Sequence, residues 1–289
     1  MTPECTNRQL LIYSISRLLA GVRHVAVGMS SPMPAAGAML LRALNKKQGL
    51  ADVQVSILGS VKHNSFTGGS EELFDCAAQG RIDAFFLGGG QIDGKANVNL
   101  VGAGDYPSSE VRWPGSYGSA YLYFLVPRVI LFREEHSRRV LVDQVDFISA
   151  PGVSEEGVHR RGGPHALLTN AALFAFQRDV GRFRLESVHP GRSAREIREM
   201  TGFSFDNDRC KVETPGPDAE TLALMRGQIR TELAETYPAI RGFSAGGGLK
   251  SHLRRRERFF LRDHQLFLLE EAALVEDRLI MKEECNAHQ

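Results

Sequence analysis

Apolar side chains recur at helical spacing across residues 7–20 (NRQLLIYSISRLLA), behind a Thr6 or Asn7 cap. A short β-like run, HVAVGM at 24–29, breaks into SSPMP and resumes as the Ala/Leu-rich helix PAAGAMLLRALNKK. The same grammar repeats: VQVSIL at 53–58, a polar loop SVKHNSFTGGS, and a helix EELFDCAAQG closed by Gly80. The next run, IDAFFLGG at 82–89, is almost continuously apolar, as expected of a strand covered on both faces. Residues 94–119 are rich in Gly, Ser, Pro and Asn and predict irregular structure around a site.

Three strand-like runs follow, YLYFLVP (121–127), RVILFRE (128–134) and RRVLVDQVDFIS (138–149). Residues 166–177 and 182–189 read as a late β pair, and SAREIREMTG as a short helix capped at Ser193 and stopped by Gly202. Residues 215–238 read as a helix with an acidic first turn. Strand, loop and helix in alternation predict an α/β fold with an open, mostly parallel sheet flanked by helices, and loops at the strand ends to carry ligands. The pattern divides the chain into a main domain at 1–240 and an extension at 241–289: a flexible GFSAGGGLK hinge, then helical periodicity.

Composition narrows the function. A formal net charge of +1 over 289 residues supplies no field to draw nucleic acid or an anionic membrane. The longest apolar stretches are too short and interrupted to span a bilayer, and MTPECTNRQL lacks a secretory pattern. Four scattered cysteines without a CxxC argue against structural zinc and a disulfide framework, and suit a reducing cytoplasm. His136, His159 and His165 lack metal-ligand spacing, so no metal is expected.

The segment FLGGGQIDGKANVNLVGAGDYPSSEVRWPGSYGSAY (86–121) is similar to a run in beta subunits of glutaconate CoA-transferases: a strand ending in GGAQID, then GNVN, GDY and a Gly/Ser loop. DFISAPG (146–152), GGPHALLTNAALFAF (162–176) and HPGRSAREIREMTGFSFD (189–206) resemble further family segments in the same order. The resemblance covers roughly residues 8–235, and the shared order is more diagnostic than any one motif. It implies the fold shared by CoA-transferases and some sugar-phosphate isomerases. The implied assembly is a hetero-oligomer with an alpha-type subunit. The implied substrate is an acyl-CoA thioester, with no covalently bound cofactor.

The resemblance also implies a beta-subunit glutamate at the end of the second strand, which attacks the thioester and comes to carry CoA. Leu58 or Gly59 stands at that place here. Glu71 and Glu72 follow more than a dozen positions later and read as first-turn acids of a helix. By the family's usual route this chain alone forms no glutamyl-CoA intermediate.

The family's GxGGA loop, whose N–H groups polarise the thioester carbonyl, corresponds to Gly115-Ser116-Tyr117-Gly118-Ser119. Gly118 and Ser119 are the expected oxyanion donors. Tyr117 replaces a glycine and reshapes the pocket, with Ser116 beside it. Gly89, Gly90 and Gln91 form either a bend beside the cleft or a structural turn. His63, between Lys62 and Asn64, is a candidate acid or base. Ser30 and Ser31 either bind CoA phosphate or cap the helix that follows.

These departures, with the turn His189-Pro190-Gly191, resemble a branch that opens a ring in a CoA-linked steroid intermediate by hydrolysis, its base on the alpha subunit. CoA transfer between carboxylic acids, hydrolytic ring opening, and a scaffold that lends only pocket walls are the three functions carried forward.

Overall fold

The computed structural model describes residues 5–206 and 212–238. The hinge and helical extension expected from residue 241 onward lie outside them.

The first helix, α1 (Asn7–Leu18), starts on a reciprocal cap: Thr6 accepts from the Gln9 amide while the Gln9 side chain accepts from the Thr6 N–H. Strand β1 (His24–Val27) leads into α2 (Pro32–Lys47), and β2 (Gln54–Ile57) into α3 (Ser70–Ala78). After β3 (Ala84–Leu87) come two small hairpins, β4 (Gln91–Ile92) with β5 (Val98–Asn99), and β6 (Gly102–Ala103) with β7 (Val111–Arg112). Helix α4 (Ser119–Leu125) then precedes β8 (Arg128–Phe132).

The chain continues through β9 (Pro164–Leu168), β10 (Ala172–Gln177), β11 (Arg182–Val188) and α5 (Ala194–Met200). Among the described residues it ends with α6 (Ala219–Leu224), a π-helical segment Met225–Ile229 and α7 (Arg230–Thr236).

The main sheet runs β11-β10-β9-β8-β3-β1-β2. Strands β2, β1, β3, β8 and β9 are mutually parallel, and β10 and β11 close the far edge antiparallel. Alternate residues of the central strands feed opposite cores. Val25, Val27, Ile57 and Phe86 pack with α1, α2 and the last helices, whereas Ala26, Phe85 and Leu87 pack with α3 and α4. The α1–α2 contact is so close that a Cβ on Gly37 would lie 2.3 Å from Ile15 Cγ2.

Four sequence expectations change. YLYFLVP is not a strand: residues 119–125 are α4, which buries Leu122 and Tyr123. Neighbouring parallel strands β3 and β8 need a crossover, and this helix belongs to it. Aromatic β-propensity had no bearing on that topological demand.

RRVLVDQVDFIS is likewise not a strand. It makes a turn and bridges the β4–β5 hairpin, Leu141 to Ile92, with the Ser149 amide donating to the Val98 carbonyl. The run at 166–177 is two strands, split where Thr169 Oγ1 accepts from the Ala171 and Ala172 amides. The helix expected over 215–238 starts only at Ala219, on an Asp218 cap, and widens into a π turn before α7.

Candidate functional site

Parallel strands end together, so three loops meet at one rim: Gly28–Ser31 after β1, Leu58–Ser60 after β2 and Gly88–Gln91 after β3. The connection from β1 to β2 carries α2 on one face, and that from β2 to β3 carries α3 on the other. Strand order therefore reverses at β1, which makes its carboxyl end the place where an open α/β sheet takes a ligand.

The β2 end bears no carboxylate. Leu58 is half-buried against the α3–α4 core, and its amide donates to the Val27 carbonyl at 3.0 Å. Gly59 is exposed with φ +80°, and Met29 lies over it, its Cγ 3.0 Å from where a Cβ would stand. Any side chain at Gly59 would be strained and would displace Met29. Glu72 is spent locally: it accepts from the Gly68 amide at 2.9 Å and Thr67 Oγ1 at 3.1 Å, and these bonds hold its carboxyl below the usual range. It acts as a cap for the loop before α3.

The Gly/Ser loop rests on α3. The Tyr117 hydroxyl is 2.6 Å from Ser70 Oγ, and its ring lies 6.1 Å from Phe74. A Cβ on Gly118 would fall 2.1 Å from Phe74 Cζ, so the close approach requires glycine. Tyr117 has φ +48° and Gly118 φ −99°.

The two expected donors part company. Ser119 N–H bonds the Ser116 carbonyl at 2.8 Å. The Gly118 N–H has no acceptor among the described residues. Residues 115–120 are half-buried or exposed, so this amide is not sealed inside the core.

The structure sets the other candidates elsewhere. Gln91 is buried: its Nε2 donates to Asp146 at 2.9 Å, and its Oε1 accepts from Asn99 at 2.8 Å and from the Asp146 amide at 3.0 Å. Its amide thus holds β4, β5 and the segment at 146 together.

Gly89 and Gly90 admit neighbours: a Cβ would lie 2.4 Å from Val98 Cγ1 on the first and 2.2 Å from the Trp113 ring on the second. His63 faces the α2–α7 side of the sheet, its buried Nε2 3.5 Å from Glu232, while the Gly118 loop sits on the α3 side. Burial pushes the His63 pKa down, opposed in part by Glu232. The structure does not bring His63 to the loop. Ser31 is the residue before α2, and its side chain makes no capping bond.

Sequence reasoning missed Trp113, which covers Gly90, and Asp146, which fixes Gln91 and the Gly104 amide. The lone tryptophan, inside the Gly-rich stretch, was the available signal for the first. Among the described residues no group of three or more His, Cys, Asp or Glu could hold a metal, and no helix is long and apolar enough to cross a membrane.

The fold is an open α/β sheet with a switch point at β1, and the Gly/Ser loop offers one backbone N–H donor, that of Gly118, without an acceptor among the described residues. The model of the family described as Coenzyme A transferase matches residues 13–199, and the chain belongs to that family. It is 32% identical over 162 residues to the beta-type subunit of the 3-oxoadipate CoA-transferase of Pseudomonas knackmussii, covering 54% of this chain and 62% of that one. The match thus spans less than two thirds of that relative's length.

A hydrolase relative matches over more of its length. The cholesterol ring-cleaving hydrolase IpdB subunit of Rhodococcus jostii is 24% identical, covering 77% and 92% of the two chains. The fold is that of glutaconate coenzyme A-transferase from Acidaminococcus fermentans, at a TM-score of 0.69 and 21% identity over 82% of this chain and 99% of that one.

Proposed function

We propose that the chain is the beta-type subunit of a two-subunit enzyme acting on an acyl-CoA thioester. Family membership and the likeness to the beta-type subunit of a CoA-transferase support CoA transfer between carboxylic acids as the first reading. The observation that carries the thioester is the Gly118 N–H, without an acceptor among the described residues, in an open, glycine-backed loop on the α3 side. Such a donor stabilises the oxyanion formed when a thioester carbonyl is attacked.

A second reading follows from the β2 end. With Leu58 and Gly59 where the resemblance implies a glutamate, the attacking or proton-accepting group comes from an alpha-type subunit, and hydrolysis of a CoA-linked ring becomes the fitting reaction. The likeness to a ring-cleaving hydrolase subunit supports it. In either reaction this chain supplies the wall that polarises the carbonyl, and no resident cofactor or metal is invoked.

The test uses the purified complex of this chain with its alpha-type partner. Acyl-CoA and a labelled acceptor carboxylate are supplied, and the products resolved by mass. Labelled acyl-CoA marks transfer, whereas a hydrated CoA product marks hydrolysis. If neither forms, and Gly118→Ala leaves the partner's properties unaltered, the chain is a scaffold.

A further inference from the structure

The amino ends of β1 and β2, on the α3 face, border a cleft of about 320 Å³ that takes no part in the site above. His24 and Gln54, the first residues of these strands, line it with Ser65, Phe66, Arg23 and Arg81. Four side chains here form one directional hydrogen-bond chain.

Its direction follows from a single carbonyl. His24 Nδ1 lies 3.0 Å from the Arg81 carbonyl, which can only accept, so Nδ1 carries the ring proton. Nε2 of the neutral ring must then accept, and its partner is Ser56 Oγ at 2.8 Å. Ser56, having donated to the imidazole, accepts from Ser65 Oγ at 2.5 Å. Ser65 in turn accepts from Gln54 Nε2 at 3.1 Å. Phe66 stacks on the imidazole with ring centroids 5.9 Å apart and fixes its plane. Ser56 is fully buried, whereas Ser65 is exposed.

This is the order of a nucleophile, a relay and a base oriented by a third group. We propose that Ser65 is the nucleophile of a second, hydrolytic site, activated through Ser56 by His24, for small acyl esters or thioesters. Arg23, Arg81 and Glu72 border the cleft. Arg23 is held by Asp83, and Arg81 interacts electrostatically with Glu72, which also lines the cleft.

In the reaction Ser65 Oγ attacks the carbonyl carbon as its proton passes to Ser56 Oγ and the Ser56 proton passes to His24 Nε2. Collapse of the adduct breaks the bond to the leaving oxygen or sulfur, which takes the proton back along the same chain. Water then attacks the acyl-serine by the same route and releases the carboxylic acid. The step needs no other co-reactant.

The test treats the full chain with a fluorophosphonate and maps the modified peptide. Phosphonylation at Ser65 is expected, together with turnover of p-nitrophenyl acetate that Ser65→Ala abolishes. Ser56→Ala and His24→Gln should slow labelling by about a hundredfold. An unmodified Ser65, under conditions that label a control serine hydrolase, overturns the proposal without recourse to any variant. So does labelling of Ser56→Ala at the rate of the unaltered chain.

Discussion

Tyr117 holds a left-handed backbone conformation, φ +48°, that costs a residue with a Cβ about 1–2 kcal/mol. Its hydroxyl bond to Ser70 and its ring against Phe74 offset that strain. Tyr117→Gly trades one for the other, so thermal melting should place its stability within about 1 kcal/mol of the parent. The vacated space should raise kcat/KM for bulky over short acyl-CoA thioesters by about tenfold.

Gly118→Ala is the opposite case, because its Cβ would meet Phe74 at 2.1 Å. Overpacking of this kind costs about 1–3 kcal/mol, and displacing the amide should lower kcat by roughly a hundredfold or more. A lowered melting temperature with unchanged kcat would remove Gly118 from the chemistry.

At this scale the site was half legible. The Gly/Ser loop and the bare β2 end could be read in order along the chain. The spent Ser119 amide and the internal role of Gln91 could not, because their partners, Ser116 and Asp146, are set by a turn and by a segment 55 positions away.

Between elements, the loop after β2 is clasped to α7. Ser60 Oγ accepts from the His63 amide at 2.9 Å and donates to Glu235 at 3.2 Å, with Thr236 Oγ1 2.9 Å away. Ser60 is buried, so Ser60→Ala leaves the His63 N–H without its acceptor. A loss of about 1–3 kcal/mol is expected, read as a lower urea midpoint at unchanged slope. No change in midpoint would mean that the clasp contributes nothing.

The clasp joins residues 60 and 235, and no local pattern could announce it. Elements were legible where one period dominated, as in α1 with its Thr6–Gln9 cap and in the buried β3. They were not where topology decided. The 121–127 run suits strand and helix alike, and only the crossover between β3 and β8 makes it helical.

Across the whole molecule, burial pushes the imidazoles of His24, His63, His136, His165 and His189 down, His136 to about 4. His136 bonds Thr169 and Thr201 inside the core and stays neutral in the fold. Below about pH 6.5 the unfolded chain takes up protons that the folded chain refuses, so stability falls as pH falls from 6.5 toward 4. At about 1.4 kcal/mol per pKa unit, His136 alone accounts for roughly 3 kcal/mol of that loss. Urea unfolding at a series of pH values should show the decline, and His136→Asn should flatten it. A slope unchanged by that substitution would assign the decline to other groups.

The proposed role is that of a thioester-polarising wall whose reactive group belongs to another chain. Intact-mass analysis of both subunits during turnover of acyl-CoA by the assembled complex tests this most directly. The thioester is expected to be consumed while this chain gains no CoA adduct at any glutamate. A CoA adduct on this chain, or a complex that leaves every acyl-CoA offered to it untouched, would contradict it.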